Sequence, residues 1–451
     1  MTKMFGTNGV RGVVNQDMNA SLALQMGKSI GNVMPGTIAI ACDTRDSCVM
    51  LKSAVSSGLM AVGCNVLDLG IIPTPALQYY VKTHEVSAGV MITASHNPPE
   101  FNGIKVIADD GTEASHEQES QIEETYDTEV PVVAWDKVGK YTVVSGAGDA
   151  YVDAVIAKLD VDSIRRANLT VVLDCTNGAA FYTSPLLLKK LGVRAITLNS
   201  NPQGEFPGHL SEPTEDNLQD LLKMVKATDA VLGIAHDGDA DRCVFVDGDG
   251  NYVPGDKTLA VLGRALVTAN GGGTVVTPVA TSSVVDEVVT AAGGSVVRTA
   301  VGSPVVARKM SEIGGIFGGE ENGGLIFADH QFCRDGAMAI GRMLENIIRN
   351  GSLKEQVASL PVYYTVKKKM ACPNDMKEKV LQYLDVETVD IAKDRSDGLK
   401  LLIGNDWVLA RASGTEPIFR VYAESKNKAV AEELATKYLK LAQDYVNESR
   451  V

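Results

Sequence analysis

The sequence predicts an α/β chain: three consecutive α/β domains of related topology with mixed, largely parallel sheets, followed by a smaller C-terminal α+β domain. Three observations lead there. At 451 residues the chain has room for about three domains of roughly 150 residues, or four smaller ones. A strand–helix–strand pattern recurs from residues near 37, 169 and 273. After about residue 360 the texture changes to β-rich runs separated by turns and closed by one amphipathic helix.

The first copy reads TIAIACDTRDS from Thr37, then LKSAVSSGLMAVG and CNVLDLG. The second is LTVVLDCTNGAA from Leu169, SPLLLKKLG and VRAITLNS; the third is GTVVTPVATSS from Gly273, VVDEVVTAAGG and SVVRTA. In each, an apolar β-rich run stops at polar loop residues, and the helical run ends on Gly, a C-cap signal. Strands alternating with helices of this length argue for βαβ units. The Gly-rich seams SGAGD at 145–149 and DGDGN at 247–251 place domains at 1–147, 148–249, 250–360 and 361–451. Pro361 opens the last one. There the runs VYYTVKKKMACP, KLLIGNDWVLARAS and PIFRVYAES precede a helix with Leu434, Tyr438, Leu441 and Tyr445 on one face.

Composition narrows the function classes. Hydrophobic residues make up 45% and charged ones 22%, ordinary globular usage that excludes disorder, collagen and coiled coil. A formal charge of −14 repels polyanions, so neither nucleic acid nor an anionic membrane is an expected partner. An anionic small substrate then requires a local basic pocket. Seven cysteines without a C-x-x-C pair speak against a disulfide framework, residues 1–15 lack a signal-peptide apolar region, and no stretch is long enough to span a bilayer. A reduced, cytoplasmic protein is expected. No feature specifies an oligomeric state.

Four segments carry candidate chemistry. In IAHDGDADRCVFVDGDG, Asp237, Asp239 and Asp241 alternate with small residues directly after an apolar run. On a helix the middle carboxylate points away from the outer two, and along a strand the outer two sit about 13 Å apart, so only a curled loop lets all three converge. Convergence without a cation is costly, about 4 kcal/mol for like charges about 4 Å apart at an effective dielectric of 20. A hard divalent ion removes that cost, and oxygen ligands favour Mg²⁺ or Ca²⁺. A calcium-hand loop is excluded, because Gly248 stands where its bidentate Glu is required. A solvated acidic turn is the bland alternative. Arg242, next in sequence, suits phosphate contact or a plain surface ion pair.

In GVMITASHNPPEFNGIKV, Ser95 follows an apolar run, on a loop at a strand's C-terminal end, where open α/β sheets place ligands. A protease-like pairing of Ser95 with His96 is weak, since sequence neighbours seldom face each other and G-x-S-x-G is absent. In RASGTEPIFR, Arg411 and Arg420 bracket Ser413, Gly414 and Thr415; guanidinium groups plus closely spaced N–H groups suit a phosphate, or simply a polar turn. In GGEENGG, Glu320, Glu321 and Asn322 lie among glycines and offer acceptors to sugar hydroxyls. Gly27-Lys28-Ser29 is not a P-loop, because Leu22 occupies the position of the first Gly.

Together with FGTNGVRG at residues 5–12, TASHNPPEFNGIK and DGDADR make the whole chain resemble the α-D-phosphohexomutase superfamily, which includes phosphoglucomutase, phosphomannomutase and phosphoglucosamine mutase. The resemblance implies four domains around a central cleft. It implies that Ser95 carries a phosphoryl group and that Asp237, Asp239 and Asp241 bind one Mg²⁺ with a phosphoserine oxygen. Phosphate then moves between C6 and C1 of a hexose phosphate through a 1,6-bisphosphate that also serves as activator. Lys105, Arg11 and His96 match the basic groups around the transferring phosphate. Arg411, Ser413, Gly414, Thr415 and Arg420 match the loop gripping the other one, and the last domain is expected to swing about a hinge near Pro361. Where many relatives read G-E-x-S-G-H, this chain has Asn322 for Ser and Gly324 for His; Glu320 keeps the hydroxyl-binding position. A proton relay at Gly324 is impossible, so His330 or a solvent path is expected to substitute.

The G-E-E-N-G-G form is similar to the archaeal-type branch and favours glucosamine 6-phosphate ⇌ glucosamine 1-phosphate. A combined phosphomannomutase/phosphoglucomutase is the alternative. An aspartyl-nucleophile phosphatase and a non-catalytic phosphosugar-binding protein are the rivals from outside the mutase reading.

Overall fold

The computed structural model describes residues 4–6, 8–413 and 417–449. Three sheets share one plan. A central strand, Thr37–Cys42, Thr170–Asp174 or Thr274–Pro278, is flanked on one side by a parallel strand reached through the repeat's helix: Asn65–Ile71, Arg194–Leu198 or Ser295–Thr299. On its other side lies a second parallel strand, Ala88–Ile92, Leu232–His236 or Phe317–Gly319. That strand pairs antiparallel with Phe101–Ala108, Cys243–Asp247 or Leu325–Phe327. The sheets are therefore mixed with a parallel centre, as the repeats predict.

The repeat helices stop alike. Gly63, Gly192 and Gly293 all take positive φ, and in each case the glycine N–H and the next N–H bond back to the helix's last free carbonyls. A Cβ is unfavourable in that conformation, which is why the same residue punctuates all three copies.

The last antiparallel strand differs between copies. In the first sheet it is Val10–Val13, which brings Arg11 opposite Gly103; in the second it is Tyr252–Val253; in the third it is Gln331–Arg334. A single apolar core, running from Ala39 through Leu173 and Phe245 to Phe317 and Leu344, joins the three sheets. The C-terminal region is a five-stranded antiparallel sheet covered by the helices Lys377–Glu387 and Lys428–Glu448, with its own core. The last helix keeps the predicted period, but its deepest line is Ala431, Ala435, Tyr438, Ala442 and Val446, one residue off the expected face. Small alanines let the helix lie close on the sheet, and Leu434, Leu441 and Tyr445 pack at its flanks. Gly27-Lys28-Ser29 is helical, within Ala20–Val33. All seven cysteines are buried and free, and among the described residues no helix is long and apolar enough to cross a membrane.

Candidate active site

The shared plan positions the chemistry. Residues 93–100, 237–242 and 320–324 are the same connection in the three sheets, between the outer parallel strand and its antiparallel partner. Ser95, the aspartate triad and Glu320 thus issue from equivalent strand ends, which converge because the sheets share a core.

Ser95 is buried and held at φ 53, a left-handed conformation that costs a non-glycine residue about 1–3 kcal/mol and persists only where surroundings impose it. They are visible here. Its N–H donates to Thr93 Oγ1 at 2.8 Å, and Thr93 Oγ1 donates to Asp43 Oδ2 at 2.6 Å. Buried Arg45 donates to the carbonyls of Ser95, Asn97, Pro98 and Phe101 at 2.6–2.9 Å while its Nε pairs with Asp43 at 3.1 Å. Arg11 Nη1 reaches Asn97 Oδ1 at 2.8 Å. The outcome is a serine whose Oγ donates to Asp237 Oδ2 at 2.7 Å, with His96 Nδ1 at 3.5 Å from the same Oγ.

The triad is the curled loop that the alternation requires: Asp237, Asp239 and Asp241 are buried and offer oxygens within 4.8 Å of one another. Opposite ligands of one Mg²⁺ stand about 4.2 Å apart, so the spread suits a single small cation. Asp239 Oδ1 and Asp241 Oδ1 are buried without a hydrogen-bond partner, the arrangement an all-oxygen divalent site offers its ion. The other oxygens are held by cations. Lys105 Nζ lies 2.6 Å from Asp239 Oδ2 and 3.2 Å from Asp241 Oδ2; Arg334 Nη2 lies 2.5 Å from Asp241 Oδ2; Thr74 donates to Asp239 Oδ2 at 2.6 Å. Arg242 donates its N–H to Asp237 Oδ1 at 3.2 Å, and its Nε stands 3.8 Å from Oδ2. The solvated-turn alternative is excluded by this burial.

Electrostatics follow from crowding. Burial, with Asp241 and Asp239 adding to it, pushes the Asp237 carboxyl up to about 7. Burial opposes ionisation of Asp239 too, yet the Lys105 ammonium holds that carboxyl well below the usual carboxylate range. Burial and the neighbouring Arg242, Arg11 and Arg334 push the His96 imidazole down to about 2, so it is a neutral base, and burial takes Arg11 down to about 10.

In the third loop, buried Glu320 accepts from the Gly302 N–H at 3.1 Å and faces Arg334 Nη1 at 3.5 Å; burial raises its carboxyl. Asn322 Oδ1 caps the loop by accepting from the Gly324 N–H at 3.0 Å. His330 does not reach Gly324's surroundings as expected. It stacks on Tyr79 at 5.5 Å with Nε2 3.4 Å from Asp335, because Gln331–Arg334 pairs with Leu325–Phe327 and carries residue 334, not 330, to the loop.

In the last domain Arg411 and Arg420 are direct cross-strand partners, and Lys369 is opposite Arg420, so three cations share one sheet face. Like charges placed so are unfavourable unless an anion joins them. Arg411 Nε sits 2.8 Å from both Asp397 oxygens, Asp397 accepts from the Val301 N–H at 2.9 Å, and Lys367 Nζ approaches Glu321 at 3.4 Å, which docks this region beside the third sheet and its 320–324 loop. Ser413 is buried, and its carbonyl accepts from Lys377 at 2.6 Å. Gly414 and Thr415 lie outside the described residues. Arg45, Thr74, Arg334 and Lys369 escape motif reading; the one visible signal is that Arg45 and Arg334 each follow or end a strand at the same sheet edge as the recognised loops.

Models of the phosphoglucomutase/phosphomannomutase α/β/α domains I, II and III match residues 2–131, 149–250 and 254–364, and the C-terminal domain model matches 368–441. The chain is 40% identical to the "Phosphoglucomutase/phosphomannomutase" of Thermococcus kodakarensis over 461 residues, covering 100% of this chain and 99% of that one. It is 41% identical to the "Probable phosphoglucosamine mutase" of Methanopyrus kandleri over 454 residues, covering both chains completely at 100%. Among solved structures, a phosphoglucomutase/phosphomannomutase family protein from Burkholderia thailandensis superposes with a TM-score of 0.88 at 26% identity, covering 98% of each chain. Four domain matches in order, full-length archaeal relatives and the convergence of serine loop and acidic triad place this chain in the phosphoglucomutase/phosphomannomutase family of α-D-phosphohexomutases, intramolecular phosphotransferases, in its archaeal-type branch.

Proposed function

We propose that this chain interconverts glucosamine 6-phosphate and glucosamine 1-phosphate through a phosphoserine at Ser95 and a hexose 1,6-bisphosphate, which also acts as activator. The observation that carries the reading is the 2.7 Å contact between Ser95 Oγ and Asp237, beside two buried carboxylate oxygens, Asp239 Oδ1 and Asp241 Oδ1, that lack donors. Asp237, Asp239 and Asp241, with an oxygen on Ser95, would hold one Mg²⁺, which when bound spreads charge on the transferring phosphoryl group.

The chain's own residues do the rest. Arg45 and Thr93 fix Ser95 in line, Lys105 and Arg11 stabilise charge on the phosphoryl oxygens, and His96, kept neutral by burial and the surrounding guanidinium groups, takes up a proton beside the serine only once a phosphoryl dianion offsets those cations. The P–Oγ bond breaks as a bond forms to the acceptor hydroxyl oxygen, whose proton passes to solvent, since neither Gly324 nor His330 can take it. The bisphosphate then turns over and returns its other phosphoryl group to Ser95. Glu320 and Asn322 would bind sugar hydroxyls, Arg242 the transferring phosphate, and Arg411, Ser413, Gly414, Thr415 and Arg420 the other phosphate. The proposed domains are 1–147, 148–249, 250–360 and 361–451, with the fourth swinging near Pro361.

Support for the amino sugar is the name "Probable phosphoglucosamine mutase" on relatives from several archaea; the Thermococcus relative's name supports a phosphomannomutase/phosphoglucomutase instead. ³¹P NMR with Mg²⁺ and a trace of hexose 1,6-bisphosphate, run in parallel on glucosamine 6-phosphate, glucose 1-phosphate and mannose 1-phosphate, decides. A tenfold kcat/KM preference for the glucosamine phosphate, about 1.4 kcal/mol, supports the reading. Equal or better rates on neutral sugars favour the alternative, and ligand binding without isomer would favour a binding protein.

A further inference from the structure

We propose that Arg334 is a positioning residue that couples the metal loop to the sugar loop, holding Asp241 until a divalent cation takes over and then serving Glu320 on the sugar side. The inference rests on the mutase reading above for the location of the metal and sugar, but its first test needs neither sugar nor turnover.

Four observations carry it. Arg334 belongs to the third sheet yet binds across to the second domain's loop, with Nη2 2.5 Å from Asp241 Oδ2 and Nη1 3.5 Å from Glu320 Oε2. Its side chain is 5% exposed, and its Nε is buried with no hydrogen-bond partner, so one donor is held in reserve. A Cβ built on Gly324 would collide with Cδ of Arg334. Arg334 is opposite Ile326, which makes it the diagonal neighbour of Gly324 on the same face of the hairpin. The space a side chain at 324 would fill is thus occupied by the stem of Arg334, and Gly324 and Arg334 depend on each other.

The charge arrangement supplies the coupling. Asp241 Oδ2 is approached by both Lys105 and Arg334, while its Oδ1 has no donor. A divalent ion drawn to the triad repels cations bonded to the same carboxylate, and Arg334 has somewhere to go: Glu320, buried beside it. Metal entry therefore frees the guanidinium toward the loop that faces the sugar, ordering Glu320 by a planar fork that lysine cannot reproduce.

Arg334→Gln tests this by titration of the metal-free protein with Mn²⁺, followed by electron paramagnetic resonance. Removing a cation that competes for Asp241 is expected to tighten Mn²⁺ binding by about tenfold, while kcat/KM falls by about 100-fold. A residue that merely supported the fold would weaken both together. Arg334→Lys should keep Mn²⁺ affinity near wild type without restoring full turnover. Independently, Gly324→Ala should lower kcat/KM by about tenfold in the wild-type background and by less than about twofold in an Arg334→Ala background. If Arg334→Gln does not fold, Gly324→Ala alone carries the test, since pushing Arg334 off Asp241 should also tighten Mn²⁺. Weaker Mn²⁺ binding in Arg334→Gln, or in Gly324→Ala where that variant stands in for it, or an equal Gly324→Ala cost in both backgrounds, would overturn the proposal. The mutase reading would survive that outcome, because it is tested separately by isomer formation in the ³¹P assay and by Ser95→Ala.

Discussion

Ser95 and Asp237, 142 residues apart in sequence, meet at 2.7 Å because they occupy the same connection in two copies of one sheet plan. The pairing joins a hydroxyl in a left-handed loop to a carboxylate that burial and its neighbours push up to about 7. Ser95→Ala should lower turnover by at least about 100-fold in the mutase assay, the scale of a lost nucleophile. An aspartyl-nucleophile phosphatase would tolerate the change and release free phosphate, so wild-type-like rates would exclude the serine route.

Asp239 carries two short contacts, to Lys105 and Thr74, plus one buried oxygen without a donor. Asp239→Asn removes the charge a cation needs while keeping the shape. The Mg²⁺ concentration for half-maximal rate should rise together with a fall in kcat. An unchanged metal titration would remove Asp239 from the metal site.

Arg45 is buried with Asp43, to which its Nε is bonded, and its two Nη groups hold the serine loop by four carbonyls. Arg45→Met leaves Asp43 a buried, uncompensated charge, at a cost of about 3 kcal/mol in unfolding free energy. Urea denaturation should show that loss, and the folded fraction should turn over slowly because Ser95 is no longer fixed. Equal stability and rate would show that the loop holds itself.

Which parts of this site were legible depended on how local they were. The three repeats, their terminal glycines and the D-G-D-A-D alternation are short-range patterns, and they led to the sheets and to the triad. Arg45 and Arg334 are single arginines with no flanking motif; what makes them matter is their place in the sheets, as when the register opposite Ile326 lays the stem of Arg334 against Gly324 and its guanidinium against Asp241. His330 was the natural substitute for a missing histidine by residue type, but it sits in the antiparallel turn and packs on Tyr79 instead. The pairing Arg411↔Arg420 could be read as a phosphate grip, whereas Lys369 opposite Arg420 is invisible until strands are aligned.

Arg411 and Arg420 on one sheet face predict a binding effect more than a chemical one. Arg411→Ala should raise KM for the hexose phosphate by about tenfold, a lost charged hydrogen bond, and lower kcat less. A fall in kcat at unchanged KM would move Arg411 from binding to the transition state.

Lys400 donates to the Val279 carbonyl at 2.7 Å with its ammonium over Trp407, and burial lowers it to about 8 from the usual 10.5. Between those values the unfolded chain binds the proton that the folded one releases, so this group's contribution to stability rises with pH from about 8 to 10.5. Below that window its burial penalty is fully present. Lys400→Met should flatten the dependence of Tm on pH in that window relative to wild type; an identical slope would contradict it.

Phosphoryl transfer through Ser95 leaves a covalent phosphoserine, which labelling captures. Protein incubated with hexose 1,6-bisphosphate carrying ³²P, then digested and sequenced by mass spectrometry, should yield acid-stable label on the peptide containing Ser95. Added hexose monophosphate should chase that label into sugar phosphate. Label on an aspartate of the 237–241 loop, or none on Ser95 in protein that still isomerises hexose phosphate, would contradict the account.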